Sequence, residues 1–394
     1  MAERNLDFDT VIDRRGSGCL KYDFAAERGY NSDVLPLWVA DMDFKTSSYI
    51  EDALHRVANH GIFGYSDTKQ DYADAVASWF ERRHGWKPKS EWLIKTPGVV
   101  TALAVAVQAY TAPGDSVLIQ QPVYYPFSDV IKKNGRRVIS NNLVRDEETG
   151  RYKIDFEDFE HKIVSEHVKL FILCNPHNPV SRVWSRNELE RLGDICLKHG
   201  VIVASDEIHA DFTFVGKHTV FASIKSEFAE NCIVCTAPSK TFNLASMLLS
   251  NIFIPNKKLR IRFANTLESF GLSQLSIFGI EACKAAYLNG EKWFDAVKAY
   301  IAENVAFVSD FVAEHLPGVR LTPHEGTYLV WLDFSGTGLS TDELEDKIVG
   351  EAKLWLDSGR IFGKSGNGFQ RINVACPRAT LNEALERIRK VLYK

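Results

Sequence analysis

The chain has 394 residues, which is too long for a single small core, so two domains are expected. Its hydrophobic content of 45% and charged content of 25% are typical of a globular protein and argue against disorder. The formal net charge is only -4 and no long basic block occurs, which argues against nucleic acid as a partner. No run has signal-peptide or membrane-spanning length, and the seven cysteines are scattered. We therefore expect a reduced, cytoplasmic protein without membrane association.

Between about Gly98 and Pro255, short apolar runs alternate with helical patterns. The predicted strands of this part are 116–120, 138–140, 169–174, 201–205, 232–236 and 251–254. Several are apolar throughout, as expected for strands covered on both faces. Between two of them, Ser185 and Glu188 form a capping-box pattern that predicts the start of a helix. The alternation predicts an α/β fold with a mainly parallel sheet.

The pattern changes after Lys257 to long helical stretches that continue to about Leu316. Strands are predicted again at 328–332, 360–362 and 369–374, and helix starts at Ser340 and Thr380. We predict a large domain of residues 50–288. A smaller α+β domain would combine the N-terminal arm, 1–49, with residues 289–394.

Three polar residues follow predicted strands, at the sheet edge where ligands of α/β proteins bind. Lys240 lies in a polar turn after 232–236, where a partly desolvated lysine can form a Schiff base with a carbonyl cofactor. Asp206 could pair with a pyridinium nitrogen, and Asn178 could donate to a phenolic oxygen. Taken singly, each also fits an ordinary role: a surface lysine, a helix cap and a plain asparagine turn.

Three further positions fit a phosphorylated, flat cofactor and an anionic substrate. Gly98 precedes a helical pattern, and free N–H groups at a helix start suit a phosphate. Tyr124 could lay its ring over a flat cofactor. Arg371 could bind a carboxylate with its planar fork, with Arg378 as the rival. A glycine turn, a core aromatic and surface salt bridges are the alternatives.

Together these residues resemble, in order and spacing, the fold-type I enzymes that depend on pyridoxal phosphate (PLP), in the class I/II aminotransferase family. The resemblance covers essentially the whole chain and is to the cystathionine β-lyase and C–S lyase branch, called MalY/PatB-like. The motifs that carry it are LWVADMDF at 37–44, FGY at 63–65, SDEIH at 205–209, SKTFN at 239–243, RIN at 371–373 and CPR at 376–378. The resemblance implies a large domain with a mainly parallel seven-stranded sheet.

The resemblance also implies roles for residues around the cofactor ring. Lys240 would form the Schiff base with PLP and later abstract the Cα proton of an amino-acid substrate. Asp206 would pair with the pyridine nitrogen, Asn178 would bind the ring hydroxyl and Tyr124 would stack on the ring. His209 is typical of the C–S lyase branch, where aminotransferases often carry tyrosine.

Other implied roles concern the phosphate and the substrate carboxylate. The groups that would hold the phosphate are the Gly98 turn, the backbone of Val99 and Val100, the Ser239 hydroxyl and a Tyr65 from a partner subunit. Arg371, with the backbone near Ala40, would bind the substrate carboxylate. Because Tyr65 acts across an interface in this family, the resemblance implies a homodimer. No metal ligand set is implied.

The implied activity is α,β-elimination of cystathionine or a related cysteine S-conjugate to pyruvate, ammonia and a thiol. An aminotransferase of small or aromatic amino acids is the main alternative, and a PLP-binding regulatory protein is the third. The chain departs from the family pattern at Ser181 and Ser246, where glycine is expected. It departs again at Leu248, near which many relatives carry a basic residue.

Overall fold

The computed structural model describes residues 2–393. The strands are β1 (Leu35–Pro36), β2 (Leu93–Thr96), β3 (Ser116–Ile119), β4 (Arg137–Ser140), β5 (Val144–Arg145), β6 (Tyr152–Lys153), β7 (Val168–Cys174), β8 (Ile202–Asp206), β9 (Cys232–Thr236), β10 (Ser250–Phe253), β11 (Arg320–Leu321), β12 (Leu329–Asp333), β13 (Leu354–Trp355), β14 (Asp357–Ser358) and β15 (Phe369–Asn373). The α-helices are α1 (Ser48–His60), α2 (Gln70–His84), α3 (Val99–Tyr110), α4 (Pro126–Lys133), α5 (Phe156–Ser165), α6 (Arg186–Lys198), α7 (Ser226–Glu230), α8 (Pro238–Thr241), α9 (Lys257–Ser269), α10 (Ile277–Asn289), α11 (Glu291–His315), α12 (Thr341–Glu345) and α13 (Arg378–Leu392).

The central sheet has seven strands in the order β2-β10-β9-β8-β7-β3-β4. Strand β10 runs in the direction opposite to the other six strands, which are parallel to one another, so the prediction of an α/β fold with a mainly parallel seven-stranded sheet is confirmed. All residues of β3 and β9 are buried, because helices cover both faces of the sheet. The carboxyl ends of β7, β8 and β9 therefore meet at one edge.

A second sheet of four antiparallel strands follows α11, in the order β11-β12-β15-β14. Strand β14 pairs with β15 in a register that places Asp357 opposite Arg371. The N-terminal arm joins this part of the chain, because β1 pairs in parallel with β13. The four-stranded sheet and the arm thus bring Arg371 towards the edge of the central sheet.

Local sequence signals explain several of these boundaries. The capping box predicted at Ser185 and Glu188 is present at the start of α6, and an equivalent one joins Ser340 and Glu343 at α12. Two predictions are wrong. Residues Gly359–Phe362 form a 3-10 turn instead of a strand, because the backbone of Gly359 lies against that of Gly366. The last helix begins at Arg378, so Thr380 lies inside α13 and is not its cap.

At position 181, where the family pattern has glycine, the backbone adopts the left-handed conformation that glycine favours. Ser181 has φ +58°, and its hydroxyl donates to the carbonyl of Leu329 at 2.8 Å, which holds the residue in place. Among residues 2–393, no helix combines the length and the apolar character that crossing a membrane requires.

Candidate active site

A cavity of about 290 Å³ lies at the carboxyl ends of β7, β8 and β9. The sequence-predicted site residues that line it are Ala40, Gly98, Val99, Val100, Tyr124, Asn178, Asp206, His209, Ser239, Lys240 and Arg371. They come from the N-terminal arm, the central sheet and β15. The fold therefore brings together residues that are up to 331 positions apart in the chain, from Ala40 to Arg371.

Lys240 lines this cavity from the short helix α8, which starts with Pro238, one residue after the end of β9. Its Nζ donates a hydrogen bond to the carbonyl of Ala40 at 2.6 Å. Burial lowers the pKa of Lys240 from its ordinary value to about 8; Arg371 lowers it further, while Asp41 and Asp206 oppose the shift. At pH 7 roughly a tenth of this amine is therefore neutral, far more than for an ordinary lysine, and the neutral form is the one that a nucleophile or a general base requires.

Asp206 is the last residue of β8, and only 6% of its surface is exposed. One carboxylate oxygen accepts a hydrogen bond from the backbone N–H of Ile208 at 3.1 Å. Within residues 2–393 the carboxylate forms no salt bridge, and burial raises its pKa to about 7. A cationic ring nitrogen placed against it would favour the ionised carboxylate.

Asn178 and Arg371 are hydrogen-bonded to each other across the cavity, with 3.0 Å between Asn178 Oδ1 and Arg371 Nη1. Arg371 is only 2% exposed; its Nη2 donates to the carbonyl of Trp38 at 2.8 Å and pairs with Asp357. Its Nε is buried and has no hydrogen-bond partner among the described residues. The guanidinium is thus fixed in orientation and still has a donor to offer a ligand. Its rival Arg378 lies outside the cavity lining and donates to Asn304.

Helix α3 starts at the opposite end of the cavity, with Gly98 at its N-cap. No side chain caps the helix, so its first N–H groups remain available to an anion. A Cβ placed on Gly98 would meet no atom within 4 Å, because this position borders open space. Ser239 adds a hydroxyl to the lining, whereas Leu248 at the rim is 61% exposed with φ +50°.

His209 and Tyr124 form parts of the cavity wall. His209 is buried, and burial together with Lys240 and Arg371 holds its pKa well below the ordinary value, so the imidazole is neutral. Its ring lies edge-on to Tyr328 with 5.7 Å between the ring centres. Burial raises the pKa of Tyr124, so the phenol stays protonated.

Tyr65 is the one predicted site residue outside this cavity. It is 94% exposed, in a segment after α1 where Ile62 and Phe63 also lie exposed. Phe63 stacks on Phe278 with 5.7 Å between the ring centres.

The sequence alone did not single out Asp357 and Tyr328. Asp357 lines the cavity and pairs with Arg371, and Tyr328 donates to the same Ala40 carbonyl as Lys240, at 2.8 Å. An acidic residue after the apolar run 354–356 was a possible signal for Asp357. Tyr328 gave no signal, since an aromatic residue at the start of a strand is usually core.

Both the sequence and the fold of the chain resemble those of known proteins. The chain is 46% identical to "Cystathionine beta-lyase PatB" of Bacillus subtilis (strain 168), over 98% of this chain and 100% of that protein. A PLP-bound putative aminotransferase from Clostridium difficile 630 has a similar structure, with a TM-score of 0.95 and 43% identity, covering 98% of this chain and 99% of the other. Cystalysin from Treponema denticola, which contains pyridoxal 5'-phosphate, gives a TM-score of 0.94 and 38% identity, covering 98% of both chains. Residues 32–388 match the family described as "Aminotransferase class I and II". The chain belongs to this aminotransferase class I and II family.

Proposed function

We propose that the protein is a PLP-dependent carbon–sulfur β-lyase that converts cystathionine or related cysteine S-conjugates to pyruvate, ammonia and a thiol. One observation carries the proposal: Lys240, Asp206 and Arg371 face a single cavity. This arrangement occurs in a chain that is 46% identical over its length to a protein named cystathionine beta-lyase.

The lining of the cavity fits PLP at each end. The carboxyl of Asp206, whose pKa of about 7 reflects burial, suits a protonated ring nitrogen. The uncapped start of α3, the space beside Gly98 and the Ser239 hydroxyl suit a phosphate. Tyr124 would cover the ring and Asn178 would bind its hydroxyl, while Lys240 would hold the cofactor covalently.

PLP, when bound, stabilises negative charge that develops at the substrate Cα. The amine of Lys240, with its pKa lowered to about 8, would take the proton from Cα as a general base. Asp206 would remain ionised beside the ring nitrogen and keep that nitrogen protonated. Neutral His209 would contribute packing beside Asp206 without adding a competing positive charge.

Arg371 would orient the substrate by binding its carboxylate. Its contacts with Asn178, Trp38 and Asp357 fix the guanidinium before a ligand arrives, which limits the entropy lost on binding. The backbone at Ala40 would close over the same carboxylate.

Product analysis tests the activity. Purified protein loaded with PLP is incubated with cystathionine, with S-alkyl cysteines and with amino acids that have no leaving group at Cβ. Pyruvate and free thiol should appear in equal amounts from the sulfur-containing substrates only. Absence of both products from every cysteine S-conjugate would contradict the lyase proposal.

An aminotransferase is the second candidate, and the similar structure from Clostridium difficile 630 carries that description. Both reactions need the same base, carboxylate-binding arginine and ring contact, so the cavity suits either. Amino transfer would convert the amino acid to its keto acid and a different keto acid to its amino acid. No thiol would be released. Formation of such a pair at a rate above thiol release would reverse the order of the two candidates.

We also propose that the protein is a cytoplasmic homodimer, in which Tyr65 of each subunit completes the phosphate end of the other site. The exposure of Ile62, Phe63 and Tyr65 supports this, because a contiguous apolar segment favours an interface. Light scattering would test the dimer.

The proposed domains are residues 50–288 for the large domain and residues 1–49 with 289–394 for the small one. The two separate sheets support this division.

A further inference from the structure

The buried carboxylate of Asp211 has polar contacts with three side chains next to the candidate active site. The proposed chemistry gives this carboxylate no role. One oxygen accepts a hydrogen bond from Thr241 Oγ1 at 2.6 Å, and the other lies 2.9 Å from His84 Nε2. Trp79 Nε1 lies 3.2 Å from both oxygens. Burial raises the pKa of this carboxyl, but His84 and Thr241 outweigh it and hold the pKa below its ordinary value, so Asp211 is an anion.

One of these contacts joins the two segments that carry the predicted catalytic groups. Asp211 lies in the turn after β8, five residues beyond Asp206, and Thr241 directly follows Lys240 in α8. The turn is rigid, since the backbone N–H of Ala210 donates to Glu207 at 3.0 Å and that of Phe212 donates to His209 at 2.9 Å.

Helix α8 depends on such external contacts. It has only four residues, and a helix of this length has little stability of its own. Thr46 holds its C-terminal end by donating to the carbonyl of Phe242 at 2.7 Å. The hydrogen bond from Thr241 to Asp211 ties the helix to the turn after β8.

We propose that Asp211 is a positioning residue for Lys240, which through Thr241 fixes the distance between the lysine and Asp206. The functional part of this inference rests on the proposed PLP chemistry. Asp206 would hold the cofactor at its ring nitrogen, and Lys240 would hold it at its carbonyl carbon. The distance between the two residues therefore has to stay constant. A displacement of about 1 Å in such a site can cost about 100-fold in rate.

Three threonine variants test the proposal. Thr241→Val removes the hydrogen bond and keeps the shape, whereas Thr241→Ser keeps the hydroxyl. Thr236→Val is the matched control, because Thr236 is equally buried, at 2% against 1% exposed, and donates one hydrogen bond, to Asn251 O at 2.7 Å. Both valine variants should unfold at similarly lowered urea concentrations.

The decisive readout is the rate at which apoprotein captures PLP alone, followed by absorbance, together with kcat and KM for cystathionine. Thr241→Val should slow capture and lower kcat by about 10-fold with little change in KM. Thr241→Ser and Thr236→Val should retain the wild-type capture rate, and Asp211→Asn should behave as Thr241→Val. Equal capture rates in Thr241→Val and Thr236→Val would overturn the proposal.

These outcomes differ from failure of the lyase proposal. If Thr241→Val slows PLP capture but wild-type protein releases no thiol from cystathionine, the lyase activity is wrong and the positioning role stands. Wild-type protein that captures no PLP would overturn both.

Discussion

The two ends of the cavity differ in how far a single chain completes them. At the end formed by Asp206 and Arg371, the side chains are buried and held by hydrogen bonds within the chain. At the end formed by the start of α3, Val100 and Leu248 are exposed, and the cavity lining there offers N–H groups and hydroxyls but no lysine or arginine. On the proposed roles, the side chains that would recognise the substrate come from one chain, whereas the end that would hold the phosphate leaves room for a partner.

The largest effect should come from Lys240, which lies between the two ends. Lys240→Ala should lower lyase activity by about 1,000-fold or more, because it removes the general base as well as the covalent attachment. Steady-state thiol release measures this, with Lys257→Ala as a control at an exposed lysine. A small loss would show that another group removes the proton.

Arg371→Lys tests the end of the cavity formed by Asp206 and Arg371. The substitution keeps the charge beside Asp357 but loses the planar fork, so KM should rise by about 10- to 100-fold, with a smaller change in kcat. Arg378→Lys is the matched control, since Arg378 bonds Asn304 away from the cavity. An equal rise of KM in both variants would contradict the assignment of the carboxylate site.

The pH dependence of PLP capture by the apoprotein tests the lowered pKa of Lys240, which lies between the two ends of the cavity. Only the neutral amine of Lys240 reacts, so the rate should rise by about tenfold per pH unit below about 8 and level off above it. Stopped-flow absorbance between pH 6 and pH 10 gives the midpoint. A rate that still rises steeply at pH 10 would indicate an ordinary lysine.

Tyr65→Phe tests the end of the cavity formed by the start of α3, where the phosphate is proposed to bind. Loss of one hydroxyl that donates to a charged phosphate should weaken PLP binding by about tenfold, as measured by equilibrium dialysis.

A mixture of Tyr65→Ala and Lys240→Ala subunits should regain roughly a quarter of wild-type activity, because mixed dimers then contain one intact site. Without that recovery, Tyr65 does not act across an interface.

The smallest effect concerns Leu248 at the rim. Its φ of +50° is unfavourable for a residue with a Cβ, so Leu248→Gly should raise the free energy of unfolding by about 1 kcal/mol. Urea unfolding measures the change. Ile261→Gly, in the interior of α9 and also exposed, should lower the free energy by about 0.5–1 kcal/mol instead.

Much of the site was predictable because it depends on local signals. A polar residue within a few positions of the end of an apolar run marks the carboxyl end of a parallel strand, and this rule predicts that Asp206, Asn178 and Lys240 lie at one edge of the sheet. The strand at Cys232–Thr236 was predicted to the residue. The departure at Ser181 also had a physical meaning, since the backbone there is left-handed.

The contacts that depend on pairing were not predictable. Asp357 meets Arg371 because β14 pairs with β15 in one register, and a shift of one residue would turn Asp357 away. The hydrogen bond that Thr241 donates to Asp211 joins residues 30 positions apart in the chain. Residues 360–362 look like a strand by composition, yet the close approach of Gly359 and Gly366 forces a turn.

The carbonyl of Ala40 carries one consequence for turnover. It accepts hydrogen bonds from Lys240 at 2.6 Å and from Tyr328 at 2.8 Å, one for each lone pair. If Lys240 acts as proposed and its amine turns towards a substrate, Tyr328 would still satisfy this carbonyl, and the arm segment would keep that contact. The lysine would then leave and return in every cycle with the loss of one hydrogen bond, and the arm would not have to rearrange around it.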